Sequence, residues 1–160
     1  MLQEFFLPAP ILSEVITGYL FYEGSNEYPE HVDLYENSIS IGVPLGDPFN
    51  IIVGKNLNDI GTFVVTFNKP LLINGKQKQT HIWVEGEYKL CMAIFSPKAQ
   101  KKIREYLQIE EFLNLCPLCR TELSLFNLAV RNKLRRNESP ETALPIIENE
   151  LVKFFNKLPS

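Results

Sequence analysis

The sequence predicts an α+β fold: an antiparallel, roughly seven-stranded β-domain closed by a helix and followed by a C-terminal helical region. Three observations predict it. Between residues 13 and 96, short runs rich in Val, Ile, Phe and Tyr alternate with clusters of Gly, Asn, Asp and Pro, the pattern of strands separated by turns. At Ser96-Pro97 the apolar spacing changes from alternation to helical periodicity. The chain has 160 residues, 45% of them apolar and 22% charged, enough for one buried core with a helical appendage.

Val15–Tyr22 is β-branched and aromatic, and it meets the turn formers Glu23-Gly24-Ser25-Asn26. His31–Tyr35 and Ser38–Val43 follow, with Glu36-Asn37 as a tight turn between them. In the second run Ile39, Ile41 and Val43 share one face, opposite Ser38, Ser40 and Gly42. Leu45–Pro48 reads as a loop, and Phe49–Val53, Thr62–Phe67 and Leu71–Ile73 as strands, the last closing at Asn74-Gly75. Thr80–Val84 and Tyr88–Phe95 flank Glu85-Gly86-Glu87, which reads as a hairpin turn. Because most strands fall into such hairpins, the sheet is expected to be antiparallel.

Ser96 suits a helix cap and Pro97 the first helical position, where its missing N–H goes unused. Ala99, Ile103 and Leu107 then line one face. A short helix is expected over Ile109–Leu115 and a longer one from Pro117 to about Arg135, its stripe formed by Cys119, Leu123, Phe126, Val130 and Leu134. Asn137-Glu138-Ser139-Pro140 breaks the pattern. The last helix carries Ile147, Leu151, Phe154, Phe155 and Leu158 on one side. The organisation is therefore residues 1–108 as a β-domain with its closing helix, and 109–160 as a helical extension packed on it.

The runs GYLFYEGSNEYPEHVDLYENSISI and GEYKLCMAIFSPKAQKKIREYL resemble, respectively, the opening hairpins and the last strand with closing helix of pleckstrin-homology-like domains. The resemblance covers residues 14–108 and lies in the order of elements. It implies a barrel or sandwich that binds a peptide or protein. Two departures stand out. The closing helix lacks the family's Trp, the single Trp being Trp83 in a strand, and the opening strands carry Glu23, Glu27 and Glu30 where phosphoinositide binders carry Lys and Arg. Like charge at that mouth disfavours a phosphoinositide.

Cys116 and Cys119 form the one C-x-x-C spacing. A zinc reading joins them to Cys91 and His81, which stand opposite each other if Glu85–Glu87 turns a hairpin, giving four ligands. A redox reading makes Cys116 the cap of a helix beginning at Pro117, where the helix dipole favours a thiolate. The packing reading follows from the stripe that starts at Cys119, and it needs no cofactor. The sequence shows no phosphate-binding glycine loop, no nucleophile elbow and no H-E-x-x-H. Enzymatic chemistry is accordingly not expected.

The net charge of −3 is unevenly spread: residues 1–54 carry −8 and no Lys or Arg, whereas residues 55–160 carry +5. Arg131, Lys133, Arg135 and Arg136 are the densest basic cluster. They suit a helix C-terminus, and the acidic half opposes nucleic acid. No basic n-region precedes the apolar N-terminus and no run is long enough to span a bilayer, so a cytoplasmic protein without membrane insertion is expected. The function these features favour is a small non-enzymatic protein-binding or adaptor module. Its partner surfaces would be the basic cluster and the apolar residues Ile147, Leu151, Phe154 and Phe155, with a homodimer through the C-terminal helix as one form of partnership. The alternatives are a zinc or thiol-redox protein centred on the CPLC pair, and a chaperone- or immunity-type protein.

Overall fold

Two long strands organise the molecule. The structure is a computed structural model and describes residues 2–32, 38–56, 59–65, 71–74, 81–107, 115–117 and 121–158. Eight strands appear among them: β1 (Leu2–Phe6), β2 (Ile16–Val32), β3 (Ile39–Pro44), β4 (Phe49–Asn56), β5 (Asp59–Val65), β6 (Leu71–Asn74), β7 (His81–Phe95) and β8 (Leu115–Pro117). A short 3-10 turn, Pro10–Leu12, joins β1 to β2, and three α-helices follow: α1 (Pro97–Leu107), α2 (Thr121–Lys133) and α3 (Pro140–Lys157). Strands followed by a closing helix and a C-terminal helical region is the α+β class expected, and all the strand pairs are antiparallel.

The strand order differs from a succession of hairpins. It runs β1-β2-β7-β3-β6-β8, with β4 branching from β7 and carrying β5. The expected turns at Glu23–Asn26 and Glu85–Glu87 are both interior to strands: Glu23 lies opposite Lys89, and Asn26 opposite Gly86. Gly86 has φ 105°, a left-handed conformation that glycine adopts without a steric cost. Beside it the β2–β7 register shifts between Asn26 and Glu30. The turn residues thus make a bulged bend in a continuous strand. Above the bend β7 pairs with β3, Val43 facing Cys91; below it β7 pairs with β4, Ile52 facing Trp83.

Gly24 has a different reason to be glycine. A Cβ built there would sit 2.6 Å from the hydroxyl oxygen of Tyr88 and 2.7 Å from Cζ. The strand leaves out a side chain so that a buried aromatic ring can lie over its backbone.

Alternation along β2 and β7 feeds two cores. Tyr19, Phe21, Cys91, Ala93 and Phe95 face one cluster, together with Ile39, Ile41 and Val43 of β3. Leu20, Tyr22, Leu90, Met92 and Ile94 face the other, with Phe49, Ile51, Val84 and Tyr88. Both faces of β3 are covered, so Ser38 and Ser40 are buried as well.

The three helices cover the first face. Ser96 caps α1 as predicted, its Oγ accepting from Ala99 N at 3.2 Å, and Ala99 and Ile103 are buried. Phe126 and Val130 of α2, Leu134 just after it, and Ala143, Ile147, Leu151 and Phe154 of α3 complete that cluster, each large side chain contributing about 1.5–3 kcal/mol by leaving water. Ser139 caps α3 through Thr142 N at 3.3 Å, and Pro140 takes the first helical position.

Polar ties fix the helices on the sheet. Glu148 Oε2 accepts from Tyr19 Oη at 3.0 Å and from Ala9 N at 2.8 Å. Between α2 and α3, Asn137 turns with φ 63° and donates its N–H to Leu45 O. Residues of the expected 1–108 and 109–160 segments therefore share one cluster.

Candidate functional site

Of the four sequence-predicted metal residues, the three that are described, His81, Cys91 and Cys116, are not brought together. Because Glu85–Glu87 is no hairpin, His81 and Cys91 lie ten positions apart in one strand, up to ~33 Å of extended chain. His81 is paired with Gly54, whereas Cys91 stands between Phe21 and Val43. Cys116 lies in β8, in register with Leu72 of β6 and, through it, with Ile41 and Ala93. Three strand spacings separate it from β7, ~14 Å, whereas ligands of one zinc ion stand about 2.0–2.3 Å from the metal. Cys119 lies outside the described residues. The hairpin facing of His81 and Cys91 is thereby corrected, and among the described residues no group of three or more His, Cys, Asp or Glu is placed to hold an ion.

The thiol readings change too. Cys116 is a strand residue, with α2 starting at Thr121, so it does not cap a helix. The short helix expected over Ile109–Leu115 lies outside the described residues except for Leu115, which belongs to β8. Cys91 is fully buried, and burial pushes its thiol well above the ordinary value, away from nucleophilic or ligating use.

The C-terminal stripe is also corrected. Ile147, Leu151 and Phe154 are core residues, and Phe155 is half-buried with its ring 5.6 Å from that of Phe95, edge to face. These side chains are spent on the domain itself. Arg131, Lys133, Arg135 and Arg136 are exposed, as their charge requires, and Arg136 reaches Asp47 at 3.5 Å.

An open groove lies between α2 and α3. The helices pair antiparallel, with the Phe126 and Phe154 rings 6.5 Å apart at the base. Above them runs a groove of ≈ 340 Å³ walled by Leu125, Leu128, Ala129 and Asn132 of α2 and by Lys153 and Lys157 of α3. Leu125 and Leu128 are 46% and 45% exposed, high for leucines beside a core. They belong to a second stripe on α2, at positions 125, 128, 129 and 132, one step round from the core stripe 126, 130, 134. That second stripe was readable in LSLFNLAVRN: helical spacing gives α2 more apolar residues than one buried face can use.

One charged side chain lies at the base of this groove. Glu150 is 4% exposed. Its Oε1 accepts from Lys133 Nζ and, at 3.4 Å, from Lys153 Nζ. Burial by itself raises the Glu150 carboxyl; the hydrogen bonds from Lys133 and Lys153 outweigh it and hold the group below the ordinary glutamate value. Lys133 is raised in return, first by its hydrogen bond to Glu150. With Lys157 the groove carries three cations and one carboxylate. A second, larger depression of ≈ 560 Å³ is acidic, with Glu23, Asp47 and Glu87 around Lys89, and Lys89 is engaged by Glu23 at 3.5 Å.

Comparison with known proteins bears on the fold. No family model matches the chain, and no curated protein matches it. Among solved structures, ToxT from Vibrio cholerae (apo, K231A) is similar over 88% of this chain and 54% of its own, with a TM-score of 0.50 and 12% identity. A further ToxT structure covers 88% of this chain with a TM-score of 0.48 and 11% identity. The plu4264 protein of Photorhabdus luminescens covers 67% of this chain and 84% of its own, with a TM-score of 0.44 and 10% identity. The chain spans about 55% of the ToxT chain it matches. At 12% identity the likeness speaks for the fold alone. None of the described helices is long and apolar enough to cross a membrane.

Proposed function

We propose that the protein is a non-enzymatic binding module of the cytoplasm whose docking surface is the α2–α3 groove. Its occupant is an acidic amphipathic helix of a partner protein. One observation carries this reading: half-exposed Leu125 and Leu128 line the same groove as Lys133, Lys153 and Lys157. An apolar wall beside a cationic rim fits a helix with leucine-like residues on one face and carboxylates beside them. The charge asymmetry supports the same choice, since the basic surplus lies in the later part of the chain that forms α1–α3.

A synthetic helix with leucines along one face and glutamates along the other tests this by fluorescence anisotropy. It is expected to bind the wild-type protein and to lose about tenfold on Leu128→Ser, the loss of roughly one buried apolar side chain. Lys153→Glu is expected to weaken it further, and a lysine-bearing counterpart is expected not to bind. Equal binding of the acidic and basic helices, or indifference to Leu128→Ser, overturns the reading. A concentration-dependent dimer that excludes the probe assigns the groove to a second copy of the chain instead.

A further inference from the structure

We infer that Glu150 is an internal competitor for the docking groove: its carboxylate occupies Lys153 in the free protein, and the partner's carboxylate takes Lys153 in the complex. The inference rests on the docking proposal above and adds to it a built-in setting of affinity.

The two contacts to Glu150 are unequal. Lys133, from α2, donates to Oε1 closely, whereas Lys153 reaches the same oxygen at 3.4 Å. The Lys153 side chain is 55% exposed and that of Glu150 only 5%. A long contact to a half-solvated ammonium is a weak one, worth little on its own. The Glu150 carboxylate, once buried, cannot be left without a cation, and Lys133 remains to satisfy it when Lys153 turns away. Lys153 is thus the exchangeable member of the trio, and it stands on the groove wall where a docked glutamate would reach it. Lys157, one helical turn further along α3, extends the same rim. A carboxylate that serves the free protein by holding its lysines also repels the acidic partner that those lysines attract.

Glu150→Gln keeps the side chain's shape and an oxygen for Lys133 while removing the competing charge. With the acidic helical probe, this variant is expected to bind about 2–5-fold more tightly than wild type, the scale of one exposed ion pair released. The gain is expected to vanish in Glu150→Gln/Lys153→Gln. If Glu150→Gln leaves the affinity unchanged or weakens it, Glu150 positions the lysines and the inference is overturned. A second measurement needs no substitution: in wild-type protein with ¹³C-labelled lysine, the Lys153 Cε signal is expected to move on adding the probe while that of Lys133 stays. Movement of both together, or of neither while the probe binds, overturns it as well. Failure of the probe to bind wild type and variant alike sinks the docking proposal and this inference with it, whereas equal binding to the two proteins sinks the inference alone.

Discussion

Gly24→Ala probes the two-strand framework at a point where the structure fixes the size of the effect. The added Cβ would stand 2.6, 2.7 and 2.9 Å from Oη, Cζ and Cε1 of Tyr88, against about 3.5–4.0 Å for a relaxed carbon contact. The ring must retreat by ~1 Å. It has little room, since Tyr88 is buried and its other side faces the Phe49 ring with centroids 5.8 Å apart. Its hydroxyl also donates to Glu30 Oε2 at 3.3 Å. Overpacking of this kind costs about 1–3 kcal/mol, and a strained hydrogen bond adds up to about 1. We expect a loss of ~2–3 kcal/mol, a fall in Tm of roughly 5–10 °C for a chain of this length. The assay is thermal unfolding in a double-mutant cycle with Tyr88→Leu, which removes the atoms in conflict. In that background Gly24→Ala is expected to cost under ~0.5 kcal/mol, because alanine loses less backbone entropy than glycine on folding. A coupling energy within ~0.5 kcal/mol of zero would refute the reasoning, and Glu23–Asn26 would then be the turn that its composition suggests.

Two further outcomes follow from burial. Leu151→Ala is expected to cost ~2–5 kcal/mol in urea unfolding, because the side chain is fully buried in the helix-covered core; Leu128→Ala, at the groove wall, is expected to cost under ~0.5 kcal/mol, and similar costs for the two would contradict the assignment of core and surface. Stability is expected to fall at alkaline pH. Cys91 is raised by burial from an ordinary 9.0, and Tyr19 is raised from 10.0, first by burial and then by the charge of Glu148. The unfolded chain gives up these protons first, so the contribution is complete below about pH 9 and declines above it, by up to ~1.4 kcal/mol per pH unit for each group. Cys91→Ala is expected to flatten the first part of that decline, and an unaltered pH profile would contradict a buried neutral thiol.

Much of the helical half was legible in the sequence because caps and stripes are local signals. Ser96-Pro97 starts a helix where it was expected to, and Phe126 and Val130 face inward, whereas Ser139-Pro140, read only as a break, caps and starts α3, and Ile147 and Leu151, read as a partner surface, are buried. The strands were legible one at a time, but their partners were not. Glu23–Asn26 and Glu85–Glu87 carry turn composition for reasons that arise only in three dimensions: Gly24 makes room for Tyr88, and Gly86 bends β7 where its second neighbour changes from β3 to β4. β1 and the three-residue β8 escaped notice because one reads as an apolar terminus and the other contains a proline beside a cysteine pair. The expected facing of His81 and Cys91 fell with the hairpin on which it depended. The groove was not legible because the apolar stripe of α2 that packs inward accounts for its helical periodicity by itself, while Leu125 and Leu128 show as a surface only once α3 is in place.

The most direct test maps the site. Backbone amide NMR of ¹⁵N-labelled protein titrated with the acidic amphipathic helix is expected to shift resonances at Leu125, Leu128, Ala129, Lys153 and Lys157, leaving those around Glu23, Asp47 and Glu87 in place. Shifts centred on the acidic depression, or spread evenly over the sheet, would contradict the assignment of the α2–α3 groove as the docking surface.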